Sequence, residues 1–465
     1  MNMDLYMWIG YPVSPYFEKW VGTLEGIDYM IDNLVKKGFN GIVIGPFSAI
    51  ENPEGKRQYG PFNSEIYRES LRQKIGSNII KADFYHPFYP TEKYYQDTIV
   101  RAPYVSGCEI SGKKYFKQVM KIAKDRGLKV YYLWMSATPI NEFAPINTQI
   151  ITDAFGNKKD FVCINTPGFS EYMAGYLQDI LDNYSELDGI ILDLLQFPSY
   201  TADLLFTCFC EGCRNKAEKY GYVFNDFKRA ALKTFSQIKN LNRERIMQIS
   251  NNGLGPIDTI AEIFSNEDFV NWWNFRFSSI NEFAQCVRDI VNDIDPSLEL
   301  NIDCVSPSFA PLFGVNMKSL RKYADVINPK FYPSEDLFGW RGSIISYANF
   351  IRENREKEVD EYLAIKFLAK LFNIEELSKF KTLIELKETP FSIELFKNEI
   401  NKAINLINDR KRIKPWVRLD YALTDEIKNM IKALSSANLG GAIFRYYAAA
   451  TEEKLNIIQK EFEKY

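Results

Sequence analysis

Apolar positions along this chain change period again and again. LYMWIGYPV (5–13) is nearly continuous apolar sequence, as expected of a strand buried on both faces. Ile27, Ile31, Leu34 and Val35 then recur at helical spacing, and Gly38 predicts a left-handed helix stop. The same exchange repeats. FNGIVIGPF (39–47) reads as a second strand, and Phe116, Val119, Met120 and Ala123 as a helix closed by Gly127. LKVYYLWMSAT (128–138) reads as a third strand. Thr166-Pro167 predicts an N-cap and a first-turn proline, ahead of a helix carrying Met173, Leu177, Ile180 and Leu181 on one face. LDGIILDL (187–194) is a fourth strand, followed by helical stretches whose last is marked by Phe283, Val287, Ile290 and Val291. LELNIDCVSP (298–307), DVINPKFYP (325–333), IKPWVRLDY (413–421) and LGGAIFRYYA (439–448) supply strands five to eight. Leu455, Ile458 and Phe462 share one face of a final helix.

Eight apolar strands alternating with helices predict an α/β protein of the (β/α)8 barrel class, with residues 1–465 as a single domain. A doubly wound open sheet is the competitor. WIGYPV at the end of the first strand lacks the G-x-G-x-x-G spacing that cradles a dinucleotide. Residues 48–112 form a long, aromatic-rich insertion after strand 2, expected to act as a lid or binding wall. Residues 343–410 form a helical insertion before strand 7. That insertion could serve as a dimer surface, a lid or packing, which leaves a homo-oligomer open.

Function in a parallel barrel collects where the strands end. The strand-end residues are Trp8 and Tyr11, Trp134, Asp193, Asp303, Lys330 and Tyr332, Arg418 and Asp420, then Arg445 and Tyr446. Asp193, Asp303 and Asp420 would converge on one mouth. Aromatic faces around carboxylates suit a sugar, because rings stack on pyranose C–H faces while acids move protons at the anomeric carbon. Glycoside hydrolysis needs two carboxyl groups, about 5 Å apart for retention and about 6.5–9.5 Å for inversion. A strand-end aspartate also commonly caps a helix or pairs with arginine. Asp193, directly after DGIIL, is the strongest catalytic candidate. Asp188, at the start of that strand, reads as a structural turn residue on the opposite face. Trp8, Trp134 and Tyr446 are the expected stacking wall, whereas Tyr131 and Tyr132 read as packing. Arg418 and Arg445 either bind hydroxyls or neutralise the acids.

Composition narrows the partners. Of 465 residues 46% are hydrophobic and 25% charged, and the net charge of −3 comes without a basic run. That excludes a nucleic-acid footprint. No apolar run reaches the ~18 residues of a membrane span, and no signal peptide is visible, so the expectation is a cytoplasmic protein with no membrane partner. The expected partner is a carbohydrate.

Cys208, Cys210 and Cys213 give C-x-C-x2-C, a crowding that suits thiolates on zinc. Loops after strands 3 and 4 are neighbours in a barrel, so Cys163 can supply a fourth ligand. Four thiolates close the coordination sphere and make the ion structural. The sole histidine, His86, excludes a catalytic zinc held by several imidazoles. A carboxylate-rich magnesium site, an iron–sulfur cluster and plain buried thiols are the alternatives, the last two less favoured.

Cys163 with Cys208-x-Cys210-x2-Cys213 resembles the four-cysteine zinc site of the family 42 β-galactosidases. LDGIILDLLQFP resembles the fourth strand, DGI-x-x-D-x-x-x-F-P, of uncharacterised glycosyl-hydrolase-like barrel families. FYPTEKYYQDT and GGAIFRYYA are similar in kind to segments of those barrels. The resemblance implies a glycoside hydrolase with a structural zinc. Family 42 enzymes, however, carry Asn-Glu on the fourth strand and a glutamate on the seventh. Here Asp193 with Gln196, and Asp420, stand there. The layout is closer to α-amylase-like barrels, which place a nucleophilic Asp, an acid/base Glu and a stabilising Asp on strands four, five and seven. Asp303 occupies the place of the Glu, one methylene shorter. The expected chemistry is glycoside hydrolysis by paired aspartates. A barrel that binds carbohydrate without cleaving it is the alternative, and a metal-dependent hydrolase or lyase a third reading.

Overall fold

The computed structural model describes residues 3–9, 26–46, 48–51, 82–85, 90–102, 111–136, 144–251, 266–355, 357–419, 424–445 and 447–464. Eight parallel strands close into a barrel: β1 (Asp4–Trp8), β2 (Gly41–Ile44), β3 (Lys129–Met135), β4 (Gly189–Asp193), β5 (Glu299–Val305), β6 (Val326–Phe331), β7 (Trp416–Arg418) and β8 (Gly441–Arg445). They pair in chain order around the ring, and β1 closes it against β8 with Asp4 beside Gly441 and Met7 beside Phe444. Strands β2, β4, β6 and β7 are buried along their whole length, so the apolar runs reflect two covered faces: side chains in the lumen and helices outside.

Helices wrap the ring. They include α1 (Ile27–Lys36), α2 (Ser111–Asp125), α3 (Phe169–Asn183), α4 (Glu211–Lys219), α5 (Phe224–Lys239), α6 (Arg243–Ser250) and α7 (Glu267–Ile294). After β6 come α8 (Trp340–Arg352), α9 (Glu361–Leu371) and α10 (Ile393–Ile407), and α11 (Thr424–Ser436) and α12 (Glu452–Phe462) complete the wall. Gly38 and Gly127 end α1 and α2 with φ of 84° and 74°, the left-handed stops their positions predict. The helices between β6 and β7 are fastened to the barrel by Arg341 of α8. Its guanidinium meets both oxygens of buried Glu426 on α11, at 2.7 and 3.1 Å.

Thr166 does not cap α3. The helix starts after Gly168, which sits at φ 77° with no side-chain cap. The Thr166 hydroxyl instead donates to the Cys163 carbonyl at 2.7 Å and accepts from the Gln149 amide at 3.0 Å. Those bonds tie the start of α3 to a hairpin (Ile150–Thr152 with Lys158–Val162), a tertiary demand that outweighs local capping. Of the segment 48–112, the described parts are a second hairpin (Ser48–Glu51 with Ala82–Tyr85), residues 90–102 and the start of α2.

Candidate functional site

Strand alternation decides which side chains enter the lumen. On β5 the inward series is Glu299, Asn301 and Asp303; on β6 it includes Asn328 and Lys330, with Tyr332 just beyond; on β7 it is Trp416 and Arg418, with Lys414 before them. Three neighbouring strands therefore line one side of the barrel with polar and charged groups.

Asp193 is the last residue of β4 and is 2% exposed. Lys330 donates to its Oδ1, which also accepts the Leu194 amide at 2.6 Å. Leu194 takes up a φ of 60°, a left-handed conformation that costs a non-glycine residue energy and turns the chain sharply behind the carboxylate. Asp303 is 1% exposed, and its Oδ1 accepts Trp416 Nε1 at 2.6 Å. Its Oδ2 lies 3.8 Å from Lys330 Nζ and has no hydrogen-bond partner among the described residues. One ammonium thus stands against both acids.

Their protonation diverges. Burial raises the pKa of Asp193, but the charges of Lys330 and Arg445 and the bonds from Lys330 and Leu194 outweigh it, so Asp193 lies below its ordinary value. Burial also pushes Asp303 up, and the neighbouring Asp193 charge adds to it, so Asp303 lies well above the ordinary carboxylate range despite Lys330 and Trp416. Two buried acids sharing one cation are driven apart in pKa, the ionised form being favoured at Asp193 and the protonated form at Asp303.

Arginines cover this pair. The Arg445 guanidinium lies 4.7 Å from the Trp8 ring centre and 5.9 Å from that of Trp416, and donates to the Tyr332 hydroxyl at 3.1 Å. Arg418 sits 5.4 Å from the Tyr332 ring centre and pairs with Asp336. Trp8 is buried, with its indole nitrogen on the Gly45 carbonyl at 2.7 Å. Trp134 corrects an expectation. Tyr132, two residues earlier, stacks on Tyr184 at the end of α3, so that face of β3 looks outward, and by alternation Trp134 belongs to the helix layer rather than to a sugar wall. Asp188 accepts from Lys124 and from the Val130 amide, both at 2.6 Å, a structural role at the opposite end of β4. Tyr11, Asp420 and Tyr446 lie outside the described residues, as does His86.

The structure brings Cys163, Cys208, Cys210 and Cys213 together. All four are buried and unoxidised, and their sulfurs lie within 4.8 Å of one another. Cys163 and Cys213 are 3.5 Å apart. Four sulfurs about 2.3 Å from a zinc ion would be separated by about 3.8 Å, so the donor set fits a tetrahedral ion. The sulfurs also accept N–H groups: the Thr152 and Cys210 amides reach Cys208 at 3.5 and 3.4 Å, and Asn165 Nδ2 reaches Cys213 at 3.3 Å. Such donors favour thiolates.

Two residues of these sites were missed from sequence. Trp416 reads as core in KPWVRLD, yet it lies two positions before Arg418 and so shares its inward face. Arg276 lies four residues after Trp272 and seven before Phe283, on the apolar stripe of α7, a placement that marks a buried cation.

No family model and no curated protein sequence matches this chain. Among solved structures, the β-galactosidase of the psychrophilic Marinomonas ef1 superposes with a TM-score of 0.50 at 10% identity, covering 99% of this chain and 59% of that one. The β-galactosidase of the haloarchaeon Halorubrum lacusprofundi gives 0.49 at 10% identity, with 99% and 58% covered. The catalytic domain of Paenibacillus polymyxa β-amylase gives 0.49 at 9% identity, with 100% and 99% covered. This chain therefore spans about three fifths of the two galactosidases, and what the likeness to the Marinomonas enzyme establishes is the fold, a (β/α)8 barrel.

Proposed function

We propose that this protein is a glycoside hydrolase acting through Asp193 and Asp303. The observation that carries the reading is the buried acid pair at the end of β4 and in β5 with Lys330 between them: Asp193 is bonded to Lys330 and shifted down, and Asp303 is shifted up, its Oδ2 without a hydrogen bond among the described residues. Asp193 is then the nucleophile or the stabiliser of the oxocarbenium-like transition state, and Asp303 donates a proton to the leaving oxygen. Asp420 would orient a sugar hydroxyl. Lys330 keeps Asp193 charged, and Arg445 and Tyr332 beside it offer donors for hydroxyl groups. The Marinomonas β-galactosidase, which shares this fold, supports a carbohydrate substrate. Zinc on Cys163, Cys208, Cys210 and Cys213 braces two loops and takes no part in the chemistry, because four thiolates leave no open position.

A panel of aryl glycosides assayed across pH tests this. A bell-shaped rate profile is expected, with turnover in Asp193→Asn and Asp303→Asn reduced ~10²–10⁴-fold while thermal melting shows folded protein. Unchanged turnover in Asp193→Asn refutes the assignment. One observation favours a second reading, a barrel that binds carbohydrate without cleaving it. The two carboxylate side chains are only 4% and 1% exposed and already committed to Lys330. Calorimetric binding of a sugar with no turnover by the unmodified protein would select that reading.

A further inference from the structure

Arg276 of α7 is fully buried. Its Nη2 donates to Ser199 Oγ at 2.8 Å, while Nε and Nη1 reach no acceptor among the described residues. Its guanidinium is enclosed by the rings of Phe197, Trp272 and Trp273, 5.0–5.2 Å from their centres. Among the described residues no carboxylate forms an ion pair with it. Arginine does not give up its proton in proteins, and ring faces alone do not replace lost water around a buried cation. A negative charge must stand nearby. The cysteine loop is the neighbour here: Phe209, between Cys208 and Cys210, stacks on Trp272 with ring centres 5.6 Å apart. The groups whose charge would act on Arg276 are Tyr347, then Cys208 and Cys213, and burial pushes the Tyr347 phenol up, which leaves it neutral. Four neutral thiols would supply nothing. Four thiolates on a divalent ion retain two negative charges. Asn165 bridges helix α7 to the cluster, donating both to Cys213 Sγ and to Ser279 Oγ, one turn beyond Arg276, each at 3.3 Å.

The other side of Arg276 faces the segment that leaves Asp193. Phe197 and Ser199 both belong to it, and the Ser199 carbonyl is also held by the Tyr347 hydroxyl at 2.7 Å. We propose that Arg276 is the counter-cation of a metal–tetrathiolate dianion and that, through Phe197 and Ser199, it couples metal occupancy to the order of residues 194–199 behind Asp193. The coupling requires that the cluster binds a metal; it does not require that the barrel cleaves sugar.

The test uses the full chain, stripped of metal and reloaded with zinc or cobalt(II) alone. Chelator competition should show a 10–100-fold weaker zinc affinity in Arg276→Met than in the unmodified protein. Melting should change sign: metal-free, Arg276→Met melts at or above the unmodified protein, because a buried unpaired cation is gone; metal-loaded, it melts below it. Hydrogen exchange at residues 194–199 should quicken on metal removal in the unmodified protein and be already fast in metal-loaded Arg276→Met. Equal zinc affinity, an equal change in melting with and without metal, or a chain that takes up neither ion would overturn the proposal. Should Arg276→Met not fold, Arg276→Lys decides. Zinc affinity within a few-fold of the unmodified protein supports a role of charge, and a loss of tenfold or more overturns it.

Discussion

The barrel holds one lysine between two acids at each of its ends, and the two trios behave differently. At the base, Lys414 lies 3.0 Å from Asp4 and 3.7 Å from Glu299, with the Tyr6 hydroxyl at 3.0 Å. The side chains of the acids there are 31% and 26% exposed, against 4% and 1% for those of Asp193 and Asp303 at the mouth. Asp4 works against burial with help from Lys414 and Tyr6, accepts from Asn40 as well, and lies below its ordinary pKa. At the mouth, burial and the neighbouring Asp193 charge raise the Asp303 pKa well above the ordinary carboxylate range. A lysine with two carboxylates leaves Asp4 below its ordinary pKa where the acids are part-exposed, and splits the two acids in opposite directions where they are buried. A lysine beside two carboxylates is therefore no functional signal until its hydration is known.

The sharpest way to break this contrast is to remove each lysine. Lys330→Met leaves the Asp193 charge buried without its cation and should cost about 3–5 kcal/mol in denaturant unfolding. A loss no greater than that of Lys414→Met would erase the distinction between the two ends. Next comes the pH dependence of stability. Because the folded-state pKa of Asp303 is raised, its contribution is fully present below the ordinary carboxylate range and drains as pH rises toward the folded value. Asp303→Asn should remove that loss, so that its stability relative to the unmodified protein improves with pH, by up to about 1.4 kcal/mol per unit within that window. Urea unfolding at a series of pH values reads this directly, and parallel curves would contradict it. Asp193, with its pKa lowered, has the opposite sign: its contribution is present above the ordinary value and is lost as acid titrates it. The smallest effect is expected for Lys414→Met, about 1 kcal/mol, since Asp4 keeps Tyr6, Asn40 and water as partners.

Much of the carboxylate site was written in strand period. Asp303 with Asn301, Lys330 with Asn328, and Arg418 with Trp416 and Lys414 stand two residues apart, which places each set on one face. The cysteine site was the most legible part, because C-x-C-x2-C is local and Cys163 needed just one step of barrel topology to join it. Trp134 was misassigned because an aromatic at a strand end reads the same whether it faces the lumen or the helices, and the parity of β3 became clear only once Tyr132 was seen on Tyr184. The supposed N-cap at Thr166 failed for a related reason: a hydroxyl has several partners to choose from, and the hairpin beside it offered one that the local sequence does not show.

The eight strands, the helices between them and the thiols able to meet one ion were already readable along the chain, since period and spacing are local properties. Only the closed barrel decided that Lys330 stands between Asp193 and Asp303, that Arg276 is buried with no carboxylate paired to it among the described residues, and that the pKa values of the two acids move in opposite directions. Protonation depends on the distance between charges and on the water left around them, and both are fixed when strands far apart in sequence become neighbours in the ring.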